Sequence, residues 1–436
     1  MREDSIQDSG VLSLKYEIRI AYRYLFAKKS EGGLSAIAWY SLIGVMLSVA
    51  TLIVIQSVMI GFREEFVSKI LGANPHVSIY TDAFSNGKRV GFDGDLQSLL
   101  KERLSSINEV EHSFPIILEN VMASTKSASS GVQVFGIHES DLIKIPLIKN
   151  PETVEGDLKK FGNGVAMGAA LARQLGVRVG GSLRLISPSG AKTAFGVTPR
   201  SIDVKVSYIF SVGRYDIDST RIFMQIDEAK KYFNRNGTID RVDVFVKQPN
   251  NIEIISQKIN LAILGLSEAE FALWNWKQAS HSFLAALDVE RKAMFVIWSL
   301  VVMIAALNII SGLVMLVKNK TQDIAILRTI GFSKLSIMRI FFFSGFLIGV
   351  LGTFSGILLG CSFALNIHEI QNLVEGLFGG SIWDPQVRYL TKIPVKLRIE
   401  DIAWATMVAL GISLIITIFP SYRAASLNPI EGLRNA

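Results

Sequence analysis

The sequence predicts an α-helical membrane protein with four transmembrane helices and a large mixed α/β extracytoplasmic domain between helices 1 and 2. Four runs carry no Asp, Glu, Lys or Arg: 32–62, 293–317, 340–367 and 402–422. Each run reaches the roughly 20 residues that a helix needs to cross about 30 Å of hydrocarbon. The long segment between the first two runs is polar and contains alternating patterns typical of strands.

The length of the uncharged runs favours membrane spans over buried helices of a soluble protein. Half of the chain is hydrophobic, and the excess is concentrated in these four runs. A charge at the centre of a span costs about 2.5–3.5 kcal/mol on the insertion scale, so selection removes charges there. Core helices of soluble proteins seldom stay uncharged over such lengths. The first run is also too long for the apolar part of a signal peptide, so we expect it to be retained as an anchor.

The distribution of basic residues predicts the orientation. The net charge is +7, and Lys and Arg cluster in the segments 1–31, 318–339 and 423–436. By the positive-inside rule these three segments are cytoplasmic, and 63–292 and 368–401 lie outside. Because the basic residues flank the spans, we expect them to meet the lipid bilayer, and we expect no nucleic-acid partner.

Sequence motifs give no support for an active site. The pair Gly87-Lys88 lacks the remainder of a phosphate-binding loop, and Met167 replaces the third glycine of a dinucleotide fingerprint in "GNGVAM". Asn372 replaces the second histidine of a zinc-protease helix in "HEIQN". The single cysteine, Cys361, lies within the third run. We therefore expect no catalytic, metal or cofactor-binding residues in this chain, and no enzyme activity.

The segment 63–292 is predicted to be mixed α and β. The predicted strands are "HVSIY", "GVQVFGI", "SLRLIS", "IDVKVSYIF", "RIFMQI" and "RVDVFV", and the predicted helices are "GDLQSLLKERLSSI", "AALARQLG", "DEAKKYF" and "NIEIISQKINLAIL". The first span keeps helical spacing beyond Phe62 and is predicted to stop at Gly72, with Pro75 following. A second helix is predicted to lead from the end of this segment into the second span.

Two further segments have alternative interpretations. Residues 14–26 predict an amphipathic cytoplasmic helix that lies at the lipid headgroups or, alternatively, a plain lead-in helix.

The third span carries five glycines on one helical face, which permit close helix packing. Packing against other spans of the same chain is favoured over a dimer contact. These glycines are Gly345, Gly349, Gly352, Gly356 and Gly360.

A short helix between two spans is predicted in the loop 318–339, which begins with "KNKTQDIAILRTIGFSK". Thr321 is predicted to cap its amino end, with Asp323 in the first turn, where the helix dipole favours an acid. Arg328 falls in the last turn, and Gly331 suits a left-handed cap. The helix is too short to be stable alone, so it needs a surface to dock on. That surface is a partner protein or, alternatively, the lipid.

These residues carry a family resemblance. "DIAILRTIGFSK" resembles the coupling segment of ABC-transporter permeases of the macrolide-exporter and FtsX superfamily, and "PSYRAASLNPIEGLRNA" resembles its closing signature. "SVMIGFREEF", "ANPHVSIY", "SPSGAKTAFGVTPRS" and "VGRYDIDSTRIFM", in this order, resemble the lipoprotein-releasing permeases of the LolC/LolE type. The likeness extends over nearly the whole chain after residue 14.

The resemblance implies a function and a set of partners. A permease subunit of this type sits in the bacterial inner membrane with its large domain in the periplasm, beside a second permease subunit, identical or homologous. A separate cytoplasmic ATPase dimer, which binds ATP and Mg²⁺, drives the transfer of triacylated lipoproteins to a periplasmic carrier. The alternatives are an FtsX-like mechanotransmission permease and an efflux permease of the macrolide-exporter type.

The resemblance also assigns residues. The ATPase-coupling residues would be Asp323, Ile324, Leu327, Arg328, Ile330 and Gly331. A carrier-binding hook would contain Pro188, Phe195, Val197, Pro199 and Arg200. The lipoprotein cavity would be lined by Val54, Val58, Met59, Phe62, Met294, Ile297 and Val301. Hooking and non-hooking subunits both occur in this family, and the flanking prolines favour the hooking type.

Overall fold

The structure of the protein is a computed structural model that describes residues 16–24, 34–81, 84–85, 88–89, 91–193, 196–235, 237–266, 270–378 and 393–427. The chain divides into two compact units. We call Met1–Phe62, Asp288–Gly380 and Pro394–Ala436 the membrane unit, and Arg63–Leu287 with Ser381–Ile393 the sheet unit.

Two helices, α2 (Leu34–Ala73) and α11 (His281–Asn319), belong to both units. The helices are α1 (16–24), α2 (Leu34–Ala73), α3 (Gly94–Ser105), α4 (Glu139–Leu142), α5 (Pro146–Lys149), α6 (Ala169–Leu175), α7 (Tyr215–Asp218), α8 (Ile226–Phe233), α9 (Ile252–Ile263), α10 (Trp276–Ala279), α11 (His281–Asn319), α12 (Thr321–Thr329), α13 (Lys334–Leu365), α14 (Ile367–Phe378) and α15 (Ile399–Ala425). The strands are β1 (Val77–Thr81), β2 (Phe84–Ser85), β3 (Lys88–Arg89), β4 (Val110–Ser124), β5 (Ser129–Ile137), β6 (Thr153–Gly156), β7 (Val165–Gly168), β8 (Ser182–Thr193), β9 (Gly196–Ser211), β10 (Arg221–Gln225), β11 (Arg241–Val246) and β12 (Phe271–Asn275).

Within the described residues, four helices are long and apolar enough to cross a membrane: α2, α11, α13 and α15. They correspond to the four predicted spans. The prediction that the first helix continues beyond Phe62 is confirmed, since α2 runs unbroken to Ala73. The predicted loop 368–401 is partly helical, because α14 occupies its beginning.

The glycine face of α13 packs against other helices of the membrane unit, as predicted. A methyl group at Gly352 would lie 2.8 Å from the Val45 Cβ, and one at Gly360 would lie 3.0 Å from the Ala50 Cα. Both neighbours belong to α2. On the same face, a methyl group at Gly345 would lie 2.5 Å from the Thr417 Cγ2 of α15. The glycines thus allow α13 to approach two neighbouring helices more closely than any larger side chain would permit.

The sheet unit is built on a sheet of ten strands among the described residues, ordered β12-β1-β11-β4-β5-β10-β7-β9-β6, with β8 pairing with both β4 and β9. Most neighbours are antiparallel, while β10 with β5 and β7 with β9 are parallel. All six predicted strands and all four predicted helices of this unit are present. The strand β4, which pairs with three partners, was not among the predictions.

The core of the sheet unit is rich in aromatic side chains. Phe114, Phe210 and Phe223 are at most 2% exposed. Ring centroids of Phe210 and Phe223 lie 5.7 Å apart, and those of Phe114 and Phe245 lie 5.3 Å apart. Each buried aromatic side chain removes a large apolar area from water, and tilted ring pairs add about 0.5–1.5 kcal/mol. This cluster holds the sheet and its short helices together.

The carboxyl-terminal end of α2 is fixed within the sheet unit. The Lys69 Nζ lies 2.5 Å from the Glu152 Oε1, and the Phe66 ring stacks on Phe283 with centroids 3.5 Å apart. His76 follows the helix; its Nδ1 accepts from the Val246 N–H at 2.9 Å, and its other nitrogen lies 3.2 Å from the Leu71 carbonyl. Burial lowers the pKa of His76, which keeps this bridging imidazole neutral.

Asp218, at the end of α7, is a buried carboxyl group. Its side chain is 2% exposed, and it accepts hydrogen bonds from the Val212 N–H at 2.9 Å and the Ser211 Oγ at 2.6 Å. Burial raises the pKa of Asp218 from an ordinary value near 3.8 to about 6. The hydrogen bonds to the carboxylate oppose this shift but do not cancel it.

A larger residue at Gly352 should destabilise the membrane unit. We expect Gly352→Leu to lower the apparent thermal midpoint of the purified protein, because overpacking costs about 1–3 kcal/mol. Gly411→Leu on α15 is the matched control, since a methyl group there has no neighbour within 4 Å. Equal midpoints for the two variants would contradict the packing role of the glycine face.

The raised pKa of Asp218 predicts a pH-dependent stability. The folded state holds this proton more tightly than the unfolded state, so stability falls as the pH rises from about 4 to about 6 and stays lower above that. A shift of about two pKa units corresponds to about 2–3 kcal/mol. The wild type should therefore lose thermal stability over this pH range relative to Asp218→Asn, whose side chain does not titrate. The difference between the two thermal midpoints should increase up to about pH 6 and then remain constant. A difference that does not change with pH would show that folding does not raise the pKa of this carboxyl group.

Candidate functional site

The short helix α12 forms as predicted, but its amino end differs from the prediction. Asp323 lies in the first turn and Arg328 in the last, as expected. Thr321 does not cap the helix. It is the first helical residue, and its Oγ1 donates to the Lys318 carbonyl at 2.8 Å and lies 3.2 Å from that of Val317. The side chain therefore binds α11, the helix that ends just before α12, and stabilises the bend between the two.

The carboxyl end of α12 is a Schellman turn. The Phe332 N–H donates to the Leu327 carbonyl at 3.0 Å, and the Gly331 N–H donates to that of Arg328 at 3.3 Å. Gly331 has φ +110°, which confirms the predicted cap position. Ser333 then caps α13 by accepting from the Ser336 N–H at 3.1 Å. These caps set the direction in which α12 leaves and α13 begins.

The predicted docking face of α12 is only partly exposed. Ile324 is 2% exposed and packs in the core of the membrane unit, and Leu327 is half-buried against the same core. Ile324, one of the residues that the resemblance assigns to ATPase coupling, therefore has little side-chain surface for a partner to contact. Ile330 is 71% exposed and Ile326 is 43% exposed. Together with the exposed Gln322 and Thr329, these two residues form what we call the outer face of α12.

A charged cluster holds α12 against α1. Lys320 is 7% exposed, its Nζ lies 2.8 Å from the Asp323 Oδ2, and it stands 5.3 Å from the centre of the Tyr24 ring. Burial, and then the negative charge of Asp323, raise the pKa of the Tyr24 phenol. The sequence showed basic and acidic residues in this loop, but the contact with α1 joins residues about 300 positions apart and no local pattern signals it.

The predicted hook is the end of the hairpin formed by β8 and β9. The two strands pair antiparallel as far as Thr193 and Gly196, with a register shift between Ser187 and Ala191. Pro188 and Pro199 are exposed on the two arms. Phe195 and the side chain of Val197 lie outside the described residues, so their roles stay predictions.

Arg200 anchors the base of this hairpin. Its guanidinium donates to the Tyr232 carbonyl at 2.9 Å and lies 3.3 Å from that of Lys231, both on α8. The Tyr232 hydroxyl in turn donates to the Leu185 carbonyl of β8 at 2.8 Å. Arg200 was predicted as a residue of the hook, and these contacts give it a role in fixing the direction of the arms.

The residues predicted to line the lipoprotein cavity all belong to the membrane unit. Ile297 is 41% exposed, and the others are half-buried. None of them is packed in the core of the unit, so each has surface available to lipid, cargo or a second subunit. The half-buried residues are Val54, Val58, Met59, Phe62, Met294 and Val301.

The described part of the chain has no cluster of side chains that could form a metal centre. No group of three or more His, Cys, Asp or Glu side chains stands close enough to hold an ion there. The candidate surfaces in the membrane unit are the outer face of α12 and the accessible apolar residues of α2 and α11. The candidate surface in the sheet unit is the β8–β9 hairpin.

Comparison with known proteins assigns the family. An FtsX-like permease C-terminal model matches residues 295–429, and a MacB-like periplasmic core domain model matches residues 39–262. The lipoprotein-releasing system transmembrane protein LolC of Neisseria meningitidis serogroup B is 30% identical over 96% of this chain and 99% of its own length. This chain belongs to the LolC/LolE family.

One further lipoprotein-releasing relative and one solved structure are similar to this chain. The lipoprotein-releasing system transmembrane protein LolE of Haemophilus influenzae is 28% identical over 95% of this chain and 98% of its own length. The solved periplasmic region of MacB from Actinobacillus actinomycetemcomitans aligns at 10% identity with a TM-score of 0.34, over 50% of this chain and 95% of that one. The full-length relatives and the two family models together assign the chain to the LolC/LolE-type permeases of the MacB/FtsX superfamily.

Proposed function

We propose that this chain is the permease subunit of an ABC transporter that extracts lipoproteins from the outer leaflet of the bacterial inner membrane. The transporter hands them to a periplasmic carrier and is driven by a separate cytoplasmic ATPase. The main support for this proposal is the similarity to lipoprotein-releasing transmembrane proteins over nearly the full length of both chains. An FtsX-like or macrolide-exporter function has less support, because those family models each match one part of the chain.

The chemistry of the cargo explains why an energy source is needed. Each methylene group buried in a bilayer contributes about 0.8 kcal/mol, so three acyl chains do not leave the membrane unaided at a useful rate. We propose that ATP and Mg²⁺ bind to the partner ATPase dimer and not to this chain. The permease then supplies the path for the lipid and the surfaces that bind its partners.

We propose that the ATPase docks on the outer face of α12. Covering an exposed apolar side chain such as Ile330 with a partner removes apolar area from water, which contributes favourable free energy to the association. The opposite side of the helix, with Ile324 and Leu327, packs into the membrane unit. A force on the outer face would therefore reach α11 and α13, which adjoin α12 through the bend at Thr321 and the Schellman turn. The basic residues of the loop support a cytoplasmic location, which the positive-inside rule predicts.

We propose that the β8–β9 hairpin binds the carrier and that the half-buried residues of α2 and α11 meet the acyl chains. The hairpin is anchored by Arg200 at its base, so a bound carrier would be held in a defined direction. The cavity would form between this chain and a second permease subunit, identical or homologous, and the exposed surface of the apolar residues predicted to line it supports this arrangement.

The docking proposal predicts the effect of a charge on α12. Ile330→Asp should weaken the association with the ATPase at least about tenfold, because the partner would lose an apolar contact of about 1.5–3 kcal/mol and would have to bury a charge. A pull-down with the purified ATPase measures this. Ile254→Asp on α9 is the matched control, since Ile254 is 61% exposed in the sheet unit. If both variants retain the ATPase equally, α12 is not the main docking site.

The carrier proposal predicts the effect of shortening the hairpin. Phe195→Ala should weaken carrier binding about 10- to 150-fold if the ring enters the carrier, and deletion of 190–197 should abolish it. Basal ATPase activity should remain unchanged. Leu261→Ala is the control, since Leu261 is a 72% exposed apolar residue of α9. Unchanged binding by both hairpin variants would identify the chain as a subunit that does not bind the carrier.

A further inference from the structure

A cavity of about 580 Å³ in the sheet unit brings three arginines together. It lies beside the carboxyl end of α2 and is bordered by strands β1, β5, β10 and β11 and by the helix α10. Arg214, Arg221 and Arg241 line it, together with Tyr80, Trp274 and Asn275. The hook, α12 and the predicted lipoprotein cavity use none of these residues.

The charges in this cavity do not balance. Arg214 pairs with Asp216, with its Nε 3.0 Å from the Oδ1, and Arg241 pairs with Asp243 at 2.8 Å. Arg221 has no carboxylate within 4.0 Å among the described residues. It donates instead to the Ala73 carbonyl at 2.8 Å and to the Asn74 Oδ1 at 2.7 Å. One positive charge is thus left without a carboxylate partner.

The surroundings of Arg221 disfavour its charge. Burial, and then the neighbouring charges of Arg241 and Arg214, lower the pKa of Arg221 to about 10. At neutral pH the guanidinium still carries its proton. An anion in the cavity would remove the electrostatic cost that the three neighbouring cations create.

The cavity also has free hydrogen-bond donors. A guanidinium has several N–H groups in a planar fork, and Arg221 uses two of its N–H groups on Ala73 and Asn74. Its carbon lies 4.7 Å from the centre of the Phe135 ring, which holds the plane in place. The fork of an arginine matches two oxygens of a phosphate or carboxylate.

We propose that this cavity binds a phosphodiester monoanion. A single negative charge matches the one unpaired arginine, whereas a phosphate monoester would bring close to two. A tetrahedral group presents oxygens in several directions, which suits a cavity lined by arginines from three separate segments. The volume exceeds that of the phosphate alone, and Trp274, which is 50% exposed, offers an apolar wall to the substituents of the diester. The ligand is either a phospholipid headgroup or a soluble glycerophosphodiester.

The experiment uses the full-length permease in a phosphate-free detergent, with glycerophosphoglycerol as the probe and its ³¹P line width as the readout. We expect broadening that rises with protein concentration, and binding about ten- to a hundredfold weaker in Arg221→Gln. Arg173→Gln is the matched control, because Arg173 is an exposed arginine of the same unit. Absence of broadening by the wild type, or equal broadening by Arg221→Gln, would overturn the proposal.

A second variant separates binding from the structural contacts of Arg221 with the end of α2. Ala279→Trp should fill the cavity, since Ala279 is an exposed residue of its lining, and leaves all three arginines in place. We expect it to abolish broadening as well, and retained broadening would overturn the assignment of the cavity. Displacement by acetate as readily as by inorganic phosphate would identify a carboxylate site and also overturn it.

The source of the phosphodiester is tested in nanodiscs. Discs of phosphatidylglycerol should exclude the soluble probe if the lipid headgroup occupies the cavity, while discs of a phosphate-free glycolipid should admit it. Equal broadening in both kinds of disc would assign the cavity to a soluble phosphodiester. Neither result depends on the proposed lipoprotein release, because no ATPase, carrier or lipoprotein is present in the assay.

Discussion

The membrane unit depends on close contact between helix backbones. Lipid tails are as apolar as the helix side chains, so the hydrophobic effect does not drive one helix to pack against another in a membrane. Packing and short-range contacts must supply the stability instead. The five glycines of α13 make this possible by admitting α2 on part of their face and α15 on the rest. Polar groups follow the same logic, since the Thr417 and Ser421 hydroxyls donate to carbonyls one turn back in α15. Both hydroxyl groups therefore have a hydrogen-bond acceptor in a medium that contains no water.

The sheet unit is stabilised by the opposite effect, the removal of aromatic and aliphatic side chains from water. Its core therefore tolerates irregular topology, with parallel and antiparallel neighbours in one sheet. The end of α2 enters this unit as a helix whose last carbonyl groups have no partner within the helix. Arg221 satisfies the Ala73 carbonyl and the His76 ring lies at that of Leu71, so the helix end is fixed by side chains from the segment just after it and from β10.

The sequence predicted features that depend on local chemistry and missed those that depend on distant neighbours. Uncharged runs, alternation and caps predicted the four long helices, the hairpin arms and the Gly331 turn. The strand β4 was missed because Pro115 and an irregular pattern argue against a central strand, yet Pro115 lies opposite Val242 in the sheet. The inward position of Ile324 was missed for a related reason. Helical periodicity identifies the apolar side of α12, but only the packing of the membrane unit decides which part of that side is covered. The arginine cavity had no signal, since its arginines come from three separate segments.

The bend before α12 and the turn after it together determine what a partner can touch. Thr321 binds back to α11, and the Schellman turn closes the other end through Leu327 and Phe332. With both ends fixed, α12 cannot rotate to hide Ile326 and Ile330 without breaking these hydrogen bonds and removing Ile324 from the core. Exposing two isoleucine side chains one turn apart to water costs free energy. The hydrogen bonds at the two ends of α12 therefore keep Ile326 and Ile330 exposed. These two side chains form a small apolar surface, which is removed from water only when another protein or the lipid covers it.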